Sequence, residues 1–257
     1  MANSLIIVLA AAAFLPAQQD ARDVIRLVVA ADERNWKIAS SYECRERIDD
    51  RRLDGQGQLK SQDVESFDVV LLDGSPYRRL AGRNDLPLQL KDEMKQQERF
   101  ATAIAARRNE SAEQRARRAY EYVRRPDWQR EAWRELPDGF DFRVTGEEVR
   151  NGDRIHVIEA IPRPGYRPQS RTAKVFPHLR LTLWIHSQEY YLVRAEVEVI
   201  DTIAIGLVLV RLAPGSRALL EQARLNEGVW MLRRVHFTAS ARLGLLRVRH
   251  MEQEILY

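Results

Sequence analysis

The residues able to do chemistry are few and scattered. The five histidines, His156, His178, His186, His236 and His250, include no pair three or four apart and no H-E-x-x-H. The helical spacing that presents two imidazoles to one metal ion is therefore absent, and no metal site is assigned. No G-x-S-x-G turn lifts a serine above a sheet. The single cysteine, Cys44, stands in SYECRERI without a histidine to activate it, and a small buried apolar role suits it better. The glycines of DGQGQ lie between two strand-like segments rather than opening a helix, so they mark a turn and not a phosphate cradle. Asp49-Asp50 and Glu147-Glu148 sit beside turns and read as solvated charge. These residues point to no catalytic group and no cofactor, and the expectation is a protein that is not an enzyme.

The elements that would position a binding site are more legible. In LRLTLWIHSQEYYLVRAEVEV, Leu179 to Val199, apolar and polar residues alternate through two runs joined by Ser187-Gln188-Glu189. Such alternation predicts an antiparallel hairpin with one dry face. Leu181, Leu183 and Ile185 fall on that face in the first run, Val193 and Val197 in the second. Met231 and Val235 join them if neighbouring strands pair in order. Asn151-Gly152 between two further runs is a strong hairpin signal.

Before this region the periodicity is helical. Residues 20–40 predict one helix, with Ile25, Val28, Val29 and Trp36 on one stripe. Leu90, Met94, Ala101 and Ile104 predict a second, and Ser111-Ala112-Glu113-Gln114 fits a capping box that starts a third. The third carries Ala112, Ala116, Ala119, Tyr120 and Val123 and stops before Pro126. Three strands lie between the first and second helices. Ten or eleven strands in all, segregated from the helices, predict an α+β domain on an antiparallel sheet. One domain is expected over residues 18–257, with a helical insertion at about 90–134, because no Gly/Pro/Ser-rich linker divides the chain.

Leu5 to Leu15 is an unbroken apolar run followed by Pro16-Ala17 and polar residues, which reads as an export signal over residues 1–17. Beyond it no stretch reaches the roughly 18 apolar residues that a membrane-spanning helix needs. From Arg107 to Arg134, nine arginines stand against five acids, a surplus equal to the net charge of +4 for the whole chain. In an exported protein this excess does not indicate nucleic acid. It reads as a solvated helix face or, alternatively, as contact with anionic head groups through Arg115, Arg118 and Arg125.

Several blocks, in order, carry a resemblance. They are GSPYRRL with LPL and the charged helix after it, FDFRVTGEE with its NGDR turn, IEAIPRPGYRP, LTLWIHSQEYYLVRAEVEVID and NEGVWMLRRV. Together they resemble exported bacterial proteins of the outer-membrane lipoprotein-sorting type, whose fold is similar to that of LolA and LolB. The resemblance implies a strongly curved, unclosed antiparallel sheet, a half-barrel, with helices capping its concave face. It also implies a periplasmic, non-enzymatic carrier or receptor for an acyl chain, a lipid or a lipidated protein. The ligand would lie against Leu181, Leu183, Ile185, Val193, Val197, Met231 and Val235, under a lid carrying Leu90, Met94, Ile104 and Tyr120. The alternative from another class is an envelope protein-interaction or sensor module with a filled core.

Overall fold

The computed structural model describes residues 20–123, 127–205, 210–226, 228–243 and 247–257; the expected export signal lies outside them. The chain opens with helix α1 (Ala21–Ala39) and strands β1 (Cys44–Leu53), β2 (Leu59–Leu72), β3 (Ser75–Arg83) and β4 (Leu86–Pro87). Helices α2 (Leu90–Arg108), α3 (Ala112–Val123) and α4 (Asp127–Gly139) follow. The rest is strand, broken by a 3-10 helix at Thr172–His178: β5 (Phe140–Arg150), β6 (Asp153–Pro162), β7 (Leu179–His186), β8 (Leu192–Val199), β9 (Ile203–Ile205), β10 (Val210–Leu212), β11 (Arg217–Asn226), β12 (Val229–Leu243) and β13 (Arg247–Leu256).

Local chemistry sets these bounds. Asp20 caps α1 by accepting the Arg22 amide at 2.9 Å, and Asp23 in the first turn complements the helix dipole. The capping box opens α3: the Gln114 amide donates to Ser111 Oγ at 3.1 Å, and the Ser111 amide to Gln114 Oε1 at 2.9 Å. At the β5–β6 turn Asn151 and Gly152 both take positive φ, 50° and 87°, as a two-residue hairpin turn requires.

All thirteen strands form one antiparallel sheet that does not close into a barrel. Its main order is β4-β3-β2-β1-β13-β12-β11-β8-β7-β6-β5, and the short β9–β10 hairpin pairs with the far end of β12. The count exceeds the expected ten or eleven for two reasons. The two residues of β4 are too few to show a period, and β9 and β10 have only three residues each.

Residues directly opposed in neighbouring strands share a face, so one face can be followed across the sheet. Leu183 opposes Ala195, which opposes Leu220; Leu220 opposes Val235, which opposes Ile255, which opposes Ile48. This is the inner face, and α1 lies on it. Val24, Ile25, Val28 and Ala31 of α1 are almost wholly buried. Val24, Ile25 and Val28 share a core with Leu181, Leu183, Ile185, Leu192 and Ala195, together with Leu136, Phe140 and Phe176. Each buried Val, Leu, Ile or Phe side chain there contributes about 1.5–3 kcal/mol, which is why the first helix is fixed there.

Candidate functional site

The inner face divides into two parts. Under α1 it is filled: Leu181, Leu183 and Ile185, expected to line a ligand site, are core residues with 7%, 4% and 0% of their surface exposed. Val197 packs against the same core. Beyond α1 the face continues as a row of half-buried apolar side chains, Val235 and Phe237 on β12, Met251 and Ile255 on β13, and Ile48 on β1. An open cleft of about 1,050 Å³ lies at one end of this row, where Phe237, Met251 and Leu53 meet Arg52, Lys60 and Arg249.

Two expected lining residues are displaced by bulges. Trp184 opposes Arg194 and Ile185 opposes Leu192, so Val193 is an extra residue between them and Leu192 takes its place in the core. In β12, Arg234 opposes Glu221 and Leu232 opposes Gln222, leaving Arg233 as the extra residue. The bulge turns Met231 out of the row that Val235 occupies. Strict alternation carries no mark of either slip.

The expected lid also sits differently. Phe67 and Arg78 belong to the inner face, the Arg78 guanidinium lying 3.5 Å over the Phe67 ring. Tyr77 and Arg79 point the other way. It is these that Phe100 of α2 meets, with its ring 5.2 Å from Tyr77 and the Arg79 guanidinium 5.9 Å from its centre. Helix α2 thus meets the sheet from the side opposite α1. Of the lid residues, Leu90 and Met94 are 74% and 61% exposed, Tyr120 is exposed and Ile104 is half-buried. The sequence shows an apolar stripe on both helices; α1 won the inner face because its stripe is branched and continuous, where that of α2 is diluted with alanine.

The arginines of the insertion are partly committed to structure. Arg107 donates to the carbonyls of Leu72, Ser75 and Pro76, clasping the β2–β3 turn. Arg118 donates to Ser75 Oγ and to Glu110 at 2.8 Å. Burial and then the neighbouring Arg118 charge push the Arg107 pKa below its ordinary value. Arg115 is exposed, and Arg125 lies outside the described residues. No helix among the described residues is long and apolar enough to cross a membrane.

Chemistry-bearing groups are spread rather than gathered. Among the described residues no group of three or more His, Cys, Asp and Glu could hold a metal ion. His156 pairs with Glu147, His178 with Asp201 and His236 with Glu252, while His250 meets Ser240 Oγ at 2.7 Å. Cys44 is half-buried, and burial, with the Glu46 charge, pushes its thiol pKa up, away from the reactive thiolate.

One polar cluster around a buried histidine went unread in the sequence. His186 is 3% exposed. Its Nδ1 accepts the Gln188 and Glu189 amides at 3.3 and 3.1 Å, closing the β7–β8 turn. Its ring lies edge-on to Trp230 with centres 5.8 Å apart. Trp230 Nε1 donates to Glu189 at 2.8 Å, and Arg224 donates to the other Glu189 oxygen at 2.7 Å. A second such cluster ties down the proline loop. Glu135 of α4 accepts the Tyr166 hydroxyl at 2.5 Å and the Gln169 and Ser170 amides at 2.9 and 2.8 Å.

No family model and no curated protein matches the chain. Solved structures do. An outer membrane lipoprotein-sorting protein domain from Vibrio parahaemolyticus is 10% identical, with 90% of this chain and 88% of that one covered at a TM-score of 0.36. The LolA superfamily protein NE2245 from Nitrosomonas europaea is 10% identical, with 93% of each chain covered and a TM-score of 0.32. MucB of Pseudomonas aeruginosa, in its complex with MucA, is 11% identical over 91% of this chain and 92% of that one, with a TM-score of 0.26.

Proposed function

We propose that this protein is an exported, periplasmic and non-enzymatic carrier or receptor that holds a hydrophobic ligand, an acyl chain of a lipid or lipidated protein, on the inner face of its sheet. The observation that carries the reading is the half-buried row of Ile48, Ile255, Val235, Phe237 and Met251, which extends the core face past the edge of α1. Val235 is the expected lining residue that this site would keep, whereas Leu181, Leu183 and Ile185, with Val197 packed against them, support α1. A chain laid along the row would bury apolar surface worth roughly 0.8 kcal/mol per methylene.

The test is native mass spectrometry with organic extraction, on protein purified without detergent and then titrated with a fatty acid or a lysophospholipid. Near-stoichiometric lipid, lost in Ile255→Glu but kept in Leu219→Glu on the opposite face, is the expected result. A clean apo mass with no uptake sinks the carrier reading.

One observation favours a protein-interaction module instead: Leu86, Leu90 and Met94 are all more than 60% exposed near the start of α2. Such a patch fits a macromolecular contact. In vivo cross-linking from position 94 distinguishes the two, since a carrier acting through the inner face leaves that position without a specific protein adduct.

A further inference from the structure

His186 turns Nδ1 to the backbone amides of Gln188 and Glu189, and a nitrogen that accepts them carries no proton of its own. Nε2 faces Asp153 Oδ1 at 3.4 Å and the donor-only guanidinium of Arg224 at 3.1 Å, so N–H donors meet the ring on both sides, and a neutral imidazole can accept on only one of them. Arg224 also reaches Glu189 at 2.7 Å and Asp153 at 3.8 Å, so both carboxylates beside the ring already answer to a cation. The ring also meets the uncharged Trp230 ring on β12, against which Tyr191 lies tilted at 5.7 Å, and Arg154 and His156 line the same hollow. On the strand side Arg154 offers its carbonyl to the Ser187 amide at 2.9 Å.

A proton added at Nδ1 would point at two N–H donors. Both bonds to the turn would be lost, and the new cation would stand against Arg224. The turn does not end there. Glu189 holds the Trp230 indole, and the Trp230 backbone is held from both sides by Asn35 of α1, with Nδ2 donating to its carbonyl at 2.7 Å and its amide donating to Oδ1 at 2.9 Å. The route from imidazole to covering helix is therefore continuous: His186, Glu189, Trp230, Asn35.

We propose that His186 is a protonation-sensitive latch on α1. Neutral, it keeps the β7–β8 turn closed on Trp230 and the second half of α1 on β12. Protonated, it releases the turn and with it that half of the helix, uncovering more of the inner face. The inference deepens the carrier reading by giving its site a control, loading and release set by acidity, but the latch itself needs no ligand to be seen.

An imidazole ordinarily changes charge between about pH 8 and pH 5. The test is hydrogen exchange read by mass spectrometry on the full ligand-free chain across that range, corrected for intrinsic exchange. Peptides covering residues 31–40, 186–192 and 228–232 are expected to lose protection together by about tenfold or more on acidification. In His186→Asn, whose side-chain oxygen can still accept an amide but does not titrate, the loss should vanish. In Arg224→Gln, which removes the opposing cation, it should begin at higher pH. Unchanged protection in the wild type, or a loss identical in His186→Asn, overturns the latch. Should His186→Asn not fold, the Arg224→Gln shift decides: a transition that stays in place overturns it too. Lipid uptake is scored separately, so an empty protein with a working latch refutes only the carrier.

Discussion

Asn35 and Trp230, 195 residues apart, bind each other through both ends of one amide: the carboxamide nitrogen of Asn35 donates to the Trp230 carbonyl, and its oxygen accepts the Trp230 amide. Asn35 is 6% exposed, so neither backbone group has water to fall back on. Asn35→Ala should cost about 2–4 kcal/mol, two buried polar groups left unsatisfied at roughly 1–2 kcal/mol each. Urea unfolding followed by circular dichroism measures this, and Asn35→Asp should recover only part of it, because a carboxylate keeps the acceptor and loses the donor.

Glu135 gives the molecule an acid-sensitive clasp. Burial raises its pKa, but hydrogen bonds from Ser170, Tyr166 and the Gln169 amide outweigh this, and the net shift is downward. The folded state therefore holds its proton less tightly than the unfolded chain does. The stabilisation is complete above the ordinary glutamate range near 4.5 and drains away as pH falls through the lowered folded value. Melting curves from pH 7 down to pH 3 should show a steeper loss in the wild type than in Glu135→Gln. Parallel curves would show that the clasp does not titrate with folding.

Gly139 is needed for space and not for its backbone angles. A Cβ there would come within 2.5 Å of the Phe176 ring and 3.4 Å of Tyr166, both part of the packed end of the core. Gly139→Ala should destabilise by about 1–3 kcal/mol, as overpacking does. Pairing it with Phe176→Leu should recover part of the loss, read as a positive coupling in a double-mutant cycle.

Arg118 and Arg115 make opposite predictions on the same helix. Arg118 is held by Glu110 and Ser75, so Arg118→Gln should loosen the β2–β3 turn and leave affinity for anionic vesicles unchanged. Arg115→Glu should leave stability within about 0.5 kcal/mol. If the insertion meets a membrane, that change should weaken vesicle co-sedimentation at low salt. Vesicle binding that ignores Arg115 removes this helix from any membrane contact.

Much of the sheet could be read from the chain, and particular residues show where reading stopped. The alternation of Leu179–Ile185 and the Asn151-Gly152 turn are local signals, and they place β7 and the β5–β6 hairpin correctly. The capping box at Ser111 is equally local. Val193 was misplaced because a bulge is settled by the partner strand, and nothing in Tyr191-Leu192-Val193 announces it. The covering helix posed a harder problem. Both α1 and α2 carry apolar stripes, and which of them reaches the inner face depends on competition for one surface. His186 and Glu135 were invisible for a related reason: their partners include segments 31–44 residues away, such as Arg224, Trp230 and Tyr166. No spacing rule links such positions.

The place of β13 has a consequence for how the chain is made. That strand lies between β1 and β12, and among the described residues it is the strand through which the sheet joins the block built from residues 44–87 to the block built from residues 140–243. A chain emerging in order, from a ribosome or through a translocation channel, can form the two blocks separately but cannot join them until Arg247–Leu256 arrives. The last joining step closes loops of about 200 residues, from Arg51 to Glu252 and from Asp50 to Gln253, and contacts of such long range are slow to form. Until then Val235 of β12 and Ile48 of β1 lack the neighbour, Ile255, that lies between them on the inner face. Strand β13 thus completes the sheet by joining two blocks that precede it in the chain.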